Sequence, residues 1–150
     1  MSDTDKAHAL GFNHVALEVG DIDAAIEFYG KIFEIKLRGQ GPRMAFIDMG
    51  DQFLAIAQTD EEHHDAERHF GLVVDDQAKA LQAAKAAGAE FVCGTHNDFL
   101  DPWGNRIQVV EYGKIQFTKT GPVLEAMGLG DLKKTDQALA ELREKGIDIE

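Results

Sequence analysis

Hydrophobic and polar residues alternate along residues 13–19, which is the pattern of a β-strand with one buried face. Over residues 22–33 the apolar positions instead recur every three or four residues, as along one side of a helix. Asp21 precedes this segment and can accept a hydrogen bond from its first turn. Short apolar segments separated by glycine-containing turns then predict strands over residues 35–38, 44–48 and 52–58. Together these elements predict a βαβββ unit.

The same order of elements returns later in the chain. Residues 59–68 are charged and lack periodicity, which predicts a linker or a loose turn. A strand over residues 69–74 is followed by a helix over residues 77–87 that ends at Gly88. Strands are predicted over residues 90–93, 98–100 and 106–112, the last two joined by the turn DPWGN. The second half therefore predicts another βαβββ unit.

The two units also share sequence. HVALEVGD, beginning at His14, aligns with HFGLVVDD, which begins 55 positions later at His69, and the His, Leu, Val and final Asp coincide. GDQFL at residues 50–54 aligns with GNRIQ at an offset of 54. Such a duplication predicts an α+β fold of paired modules within residues 1–112, at about 12–58 and 69–112. Residues 113–150 are predicted to form a helical extension, with helices over 122–127 and 136–145. The apolar residues of the second helix, Ala138, Leu139 and Leu142, are expected to dock on the body or on a partner rather than touch substrate.

Composition narrows the function without identifying it. The chain has 150 residues, 44% of them hydrophobic, and a formal charge of −12. This charge disfavours nucleic acid and anionic membrane surfaces as partners. No apolar run reaches the roughly 18 residues of a membrane helix, and the polar start lacks a signal-peptide core. A single cysteine, Cys93, excludes an intrachain disulfide, so we expect a cytoplasmic protein.

Three segments in this order, NHVALEVGDIDAAIEFYGKIF, HFGLVVDD and FLDPWGNRIQVVEY, resemble the vicinal oxygen chelate superfamily. This superfamily includes glyoxalase I, extradiol dioxygenases, epimerases and bleomycin-resistance proteins. The resemblance covers residues 12–112, about two-thirds of the chain. It implies a cup-shaped mixed sheet with helices on its outer face.

Alternation along the strands predicts which side chains face the cup. One face is almost wholly apolar and is expected to pack on the helices: Val15, Leu17, Val19, Phe53, Ala55, Ala57, Phe70, Leu72, Val74, Ile107 and Val109. The opposite face is mixed: His14, Ala16, Glu18, Leu54, Ile56, Gln58, His69, Gly71, Val73, Gln108, Val110 and Tyr112. Buried polar groups without partners cost about 1–3 kcal/mol each, so the mixed face predicts a partly wet binding surface.

The resemblance implies metal ligands at four positions, which here hold His14, Leu54, His69 and Gln108. Leucine cannot ligate, which excludes the four-ligand glyoxalase pattern, and Gln108 stands where the family usually has glutamate. His14, His69 and Gln108 remain as a three-ligand set like that of the extradiol dioxygenases, for one ion of iron, manganese, nickel or zinc. The neutral amide weakens such a site, so a protein without metal is the alternative. Glu111 faces the helices unless a bulge turns it inward.

Two functions remain open. The first is a metal-assisted lyase, isomerase or dioxygenase for a small substrate with vicinal oxygens, with Glu18 or Tyr112 transferring a proton. Gln58 and Leu54 would contact the substrate. Trp103 is expected to be a structural cover, with the alternative that it lines the mouth of the cup and contacts the substrate. The second is a metal-free binding or drug-sequestering protein of the bleomycin-resistance type. Open sheet edges further predict a homodimer, with the cup closed within the chain or by exchange between chains.

Overall fold

The computed structural model describes residues 12, 14–61 and 63–149. The first module contains β1 (His14–Val19), α1 (Ile22–Gly30), β2 (Leu37–Gln40), β3 (Met44–Asp48) and β4 (Phe53–Gln58). The second module contains β5 (Phe70–Val74), α2 (Gln77–Ala86), β6 (Glu90–Phe91), β7 (Asp98–Leu100) and β8 (Arg106–Glu111). A 3₁₀ turn (Tyr112–Lys114) and the helices α3 (Gly121–Ala126) and α4 (Asp136–Glu144) follow. The predicted α+β class and duplicated βαβββ order are confirmed.

Each module forms an open, mixed, four-stranded sheet. The strand orders are β1-β4-β3-β2 and β5-β8-β7-β6, and in both sheets the first and last strands of the module pair in parallel. Among the described residues, β1 pairs only with β4 and β5 only with β8. Each module therefore leaves its first strand at the edge of its sheet.

The helix starts follow from capping side chains. The Asp21 carboxylate accepts a hydrogen bond from the Ala24 N–H at 2.7 Å, and the Asp76 carboxylate accepts one from the Lys79 N–H at 2.9 Å. Such bonds satisfy donors that a helix cannot satisfy internally. Helix α1 ends at Gly30, three residues earlier than predicted. Beyond it the Ile32 and Phe33 N–H groups both donate to the Tyr29 carbonyl, so the apolar spacing continues through a tightened turn.

The apolar faces of the two sheets and the helices form one core. It includes Leu17 and Val19 of β1, Ile107 and Val109 of β8, and Phe28 of α1. These strand residues face the helices as alternation predicted. No helix among the described residues is long and apolar enough to span a membrane.

The predicted faces of β4 are wrong. Val15 pairs with Leu54, so Leu54 lies on the core side and is 4% exposed, and Ile56 follows it there. Phe53, with Ala55 and Ala57, instead lies on the side of His14. The glycines of the preceding turns, Gly50 and Gly104, are 54 positions apart in the sequence. Equivalent residues of β4 and β8, identified by their pairing with β1 and β5, are 53 positions apart. That difference of one residue exchanges the two sides of a strand.

The charged linker is not a loose turn where it approaches β8. The Asp65 N–H donates to the Gly104 carbonyl at 2.7 Å, and the Asp65 carboxylate accepts from the Arg106 N–H at 3.1 Å. The Arg106 guanidinium donates to the Ala66 carbonyl and to Asp98. His64 packs against Gly104, which has a φ of +87° and no space for a side chain. These contacts anchor the linker at the start of β8.

Candidate functional site

A cavity of about 630 Å³ lies between the first module and strand β5. Small-molecule sites have volumes of roughly 300–1,000 Å³ and mostly apolar walls. Consecutive residues from His69 to Asp75 line it, so both faces of β5 and its open edge border the space. The first module contributes residues from β1 and from the start of β4, including His14, Val15 and Phe53. Residues of both edge strands, β1 and β5, therefore border the same cavity.

The structure brings His14 and His69, the equivalent histidines of the repeat, to this one cavity. Nδ1 of His69 lies 2.8 Å from the Glu67 carbonyl oxygen. A carbonyl oxygen only accepts, so Nδ1 carries a proton, and in the neutral imidazole Nε2 is then the nitrogen with a lone pair. The same hydrogen bond orients metal-binding histidines in many proteins. His69 is therefore in the tautomer that can ligate or accept through Nε2.

His14 is oriented by an aromatic contact. Its ring stacks on Phe53 with centroids 4.7 Å apart and an interplanar angle of 11°. Phe46 meets Phe53 edge-on at 5.7 Å, and the Arg38 guanidinium lies 4.9 Å above the Phe53 ring. Phe53, which strand alternation assigned to the core side, thus fixes the plane of the His14 imidazole.

Gln108 is half-buried and pairs across strands with Gly71 on one side and Asp98 on the other. It shares the face of His69 but does not line the cavity. The neighbouring carboxylate of Asp98 is 2% exposed and is held by Arg106 at 2.7 Å. Among the described residues, no group of three or more His, Cys, Asp or Glu side chains is arranged to hold a metal ion.

Glu111 supplies no further ligand to this face. Its carboxylate accepts a hydrogen bond from the Gln77 N–H at 3.2 Å, at the start of α2. The side chain therefore lies on the helix side, as strand alternation predicted. No bulge interrupts the pairing of β8 with β5 between Phe70 and Val74.

The other predicted site residues divide into two groups. Tyr112 and Leu54 line the cavity, Leu54 from its core side. Glu18, Gln58 and Trp103 do not line it. Glu18 is exposed on β1, and Trp103 is 9% exposed and meets Phe28 edge-on at 6.5 Å. The structure therefore shows Trp103 as a cover of the core.

Residues of the C-terminal extension that precede α4 form one side of the cavity, and the sequence did not predict this. They are Phe117, Lys119, Leu124, Met127, Leu129 and Leu132. Their spacing follows neither a strand nor a long helix, and they lie beyond the family resemblance, so no sequence signal marked them. The sequence prediction for the extension is correct in one respect, since α4 docks on the body through Ala138, Leu139 and Leu142.

Two lysines hold this side of the cavity in place. Lys134 donates to the carbonyls of Tyr112, Ile115 and Phe117 at 2.6, 2.8 and 2.6 Å, and its ammonium lies 3.7 Å above the Tyr112 ring. Burial lowers the pKa of Lys134. Lys119 forms an ion pair with Asp51 in the turn between β3 and β4, and this contact holds the pKa of Asp51 below its usual value. The Tyr112 hydroxyl is 3.0 Å from the Thr118 hydroxyl.

Paired βαβββ modules with two histidines in a shared cavity define a glyoxalase-type protein. Residues 11–109 match the sequence model of the Glyoxalase/Bleomycin resistance protein/Dioxygenase superfamily, and the chain belongs to this family. The chain is 28% identical over 72 residues to metallothiol transferase FosB of Bacillus licheniformis, a match covering 45% of this chain and 47% of FosB. The matched part is thus about half the length of that curated relative.

Solved structures share the fold. The fosfomycin resistance protein FosX of Listeria monocytogenes, in the form of a mutant complexed with Mn(II) and 1S,2S-dihydroxypropylphosphonic acid, has a TM-score of 0.58 at 17% identity, over 68% of this chain and 90% of FosX. Lactoylglutathione lyase of Agrobacterium tumefaciens has a TM-score of 0.54 at 23% identity, over 70% of this chain and 96% of the lyase. At these identities the likeness establishes the common fold.

Proposed function

We propose that this protein is a metal-assisted enzyme that acts on a small molecule with vicinal oxygens in the cavity between the modules. The observation that carries the proposal is that His14 and His69, equivalent in the repeat, line the same cavity. Lyase, isomerase and dioxygenase reactions all fit such a site. A cytoplasmic location is part of the proposal and is supported by the single cysteine.

The imidazoles of His14 and His69 and the amide of Gln108 could together bind one divalent ion with moderate affinity. Imidazole nitrogens suit iron, nickel and zinc, and the Glu67 carbonyl already selects the ligating tautomer of His69. Gln108 lies on the His69 face and offers an amide oxygen as a third, neutral donor. When bound, the ion would supply Lewis acidity that polarises the substrate oxygens.

The chain itself would orient the substrate and exchange its proton. Tyr112 lines the cavity, and its hydroxyl can transfer a proton at Oη, with Thr118 as the hydrogen-bonding neighbour. Lys134 holds the backbone around Tyr112 and so keeps this hydroxyl in place. Glu18 lies on the same face of β1 as His14 and is the second candidate for proton transfer.

The names of the relatives support this choice. FosB is named a metallothiol transferase, and the FosX structure contains Mn(II) with a dihydroxypropyl compound, which carries vicinal oxygens. A metal ion and a vicinal-oxygen ligand therefore occur together on this fold. We extend both to this chain as a proposal.

Restoring a carboxylate at position 108 tests the metal site. Gln108→Glu adds an anionic oxygen donor of nearly the same size on the face of His69, so Mn²⁺ and Zn²⁺ should bind at least about tenfold more tightly, equivalent to about 1.4 kcal/mol. Titration calorimetry on tag-free protein measures this gain. In the same background, His14→Ala should abolish it.

Gln58→Glu is the matched control, because it adds the same charge at the end of β4, where Gln58 pairs with Val19 on the side opposite to His14. It should leave metal affinity unchanged. Absence of binding by both the parent and Gln108→Glu would contradict the metal-assisted proposal. Equal gains for Gln58→Glu and Gln108→Glu would show only a general effect of negative charge.

A metal-free binding protein is the second candidate. It is favoured by the apolar cavity walls and by the absence, among the described residues, of a three-membered His, Cys, Asp or Glu cluster. In that function His14 and His69 would be hydrogen-bonding walls. Ligand affinity that is unchanged by a chelator but is reduced by His14→Ala would select this candidate over the enzyme.

A further inference from the structure

The cavity has a side that the family match does not include. The match ends at residue 109, whereas residues between 117 and 132 also line the cavity. We name the six lining residues of this segment the C-terminal wall; they are Phe117, Lys119, Leu124, Met127, Leu129 and Leu132. The cavity between the modules is therefore bordered in part by a surface that lies outside the family match.

We propose that the C-terminal wall selects an uncharged organic ligand with an extended apolar part. The apolar part would lie against the wall and β5, and the oxygens would face His14 and His69. Only the placement of the oxygens rests on the proposed function. The apolar selectivity stands on the cavity walls alone.

The chemistry of the lining supports an apolar ligand. Five of the six wall residues are apolar, and both modules add apolar side chains to the lining: Phe12, Val15, Met49, Phe53, Leu54, Phe70, Leu72, Val73 and Val74. Removing apolar surface from water is the main driving force for such binding. The polar groups are few, as in sites where they orient a ligand rather than enclose it.

The charges of the lining disfavour a dianion such as a phosphonate. Among the described lining residues, Lys119 is the sole lysine or arginine, and it is already paired with Asp51. Asp75 adds a negative charge at the end of β5. Recognition of a phosphonate normally uses several cationic or N–H donors. A chain with a formal charge of −12 would add repulsion to this deficit.

The wall is anchored to both modules, which makes it a fixed part of the site. Lys134 binds the carbonyls of Tyr112 and Phe117 next to the second module. On the first module, Met127 packs on Gly50, where an added Cβ would lie 2.8 Å from its sulfur, and Gly50 has a φ of +85°. The wall therefore spans the gap between modules, and its side chains set the space available to the ligand.

Fluorescence of the neutral aromatic probe N-phenyl-1-naphthylamine with the metal-free, full-length protein tests this proposal. We expect saturable binding. Leu132→Glu places a charge in the wall and should weaken it at least about tenfold, and Leu129→Trp should do the same by occupying space. Ile147→Glu, at an exposed position of the same extension, is the matched control and should bind like the parent. Circular dichroism confirms folding, and Leu129→Trp keeps the test decisive if Leu132→Glu does not fold.

Displacement of the probe then tests the charge preference. The neutral diol 1-phenyl-1,2-ethanediol should displace it at a concentration at least about tenfold lower than phenylphosphonate. Equal or better displacement by phenylphosphonate would overturn the proposal, as would wall variants that bind the probe like Ile147→Glu. No metal is present in this experiment, so failure here is distinct from failure of the metal titration of Gln108→Glu.

Discussion

Tyr29 and Asp101 join the two modules through one buried hydrogen bond. The Tyr29 hydroxyl in α1 donates to the Asp101 carboxylate in the turn before β8 at 2.7 Å, across 72 positions of sequence. Tyr29 is 1% exposed, and Asp101 also accepts from the N–H groups of Trp103 and Asn105 at 2.9 Å each. The turn is thus folded around a carboxylate that depends on the first module.

Removing the Tyr29 hydroxyl should lower stability. Tyr29→Phe deprives a buried carboxylate of a donor, which costs about 1–3 kcal/mol of unfolding free energy. Urea unfolding measures the loss. Tyr112→Phe is the matched control and should cost less, because the bond from its hydroxyl to Thr118 is only partly buried. Equal losses for the two variants would contradict a special role for the Tyr29 bond.

The same residue predicts a loss of stability in alkali. Burial, followed by the nearby Asp101 charge, raises the pKa of Tyr29 well above its usual value. The folded protein therefore holds this proton more tightly than the unfolded chain. The stabilisation is complete below about pH 10 and is lost as the pH rises through the folded pKa. Urea unfolding between about pH 8 and 11 should show a steeper decline for the parent than for Tyr29→Phe, and identical slopes would contradict this.

At the level of elements, local sequence signals placed most helices and strands within a few residues. The Asp21 and Asp76 caps, the turn glycines and the alternation in β1 and β5 are local features, and the structure uses each of them. The sides of β4 could not be predicted, because they depend on one extra residue between Gly50 and β4 relative to the second module. The family resemblance predicted that His14 and His69 share one site. It ends at residue 112, before the residues of the C-terminal wall, so it did not predict that side of the cavity.

The linker and the extension show the limit of periodicity. Asp65 and Lys134 hold these segments through backbone carbonyls and N–H groups, and such bonds leave no repeating pattern in a sequence. Their partners lie 17 to 41 positions away. Only the folded chain shows that charged residues serve as clamps there.

Removing the Lys134 clamp should loosen the extension. Lys134→Met takes away three hydrogen bonds to carbonyls while keeping an unbranched apolar stem, and we expect a loss of about 1.5–3 kcal/mol. Amide hydrogen exchange should accelerate over residues 112–142 and remain unchanged in β1 and β4. Lys133→Met, at the adjacent exposed lysine, should have no such effect. Unchanged hydrogen exchange in Lys134→Met would show that Lys134 does not stabilise the extension.

For the molecule as a whole, the open edges of β1 and β5 bear on assembly. Exposed edges are normally paired or covered, and the cavity runs along the β5 edge. We expect a homodimer, with a sedimentation mass of twice 16.5 kDa at micromolar concentration. A sedimentation mass of 16.5 kDa under these conditions would contradict the predicted homodimer. Because His14 and His69 line one cavity within a single chain, the metal proposal does not depend on exchange between chains.

The proposed function requires that His14 and His69 bind one metal ion together. Proton NMR of the tag-free protein, titrated with Mn²⁺, tests it most directly, because a bound paramagnetic ion broadens the resonances of its ligands. We expect the imidazole signals of His14 and His69 to disappear together within the first equivalent of Mn²⁺, while that of His96 in an exposed loop persists. Persistence of both signals at excess Mn²⁺, or the loss of one without the other, would contradict it.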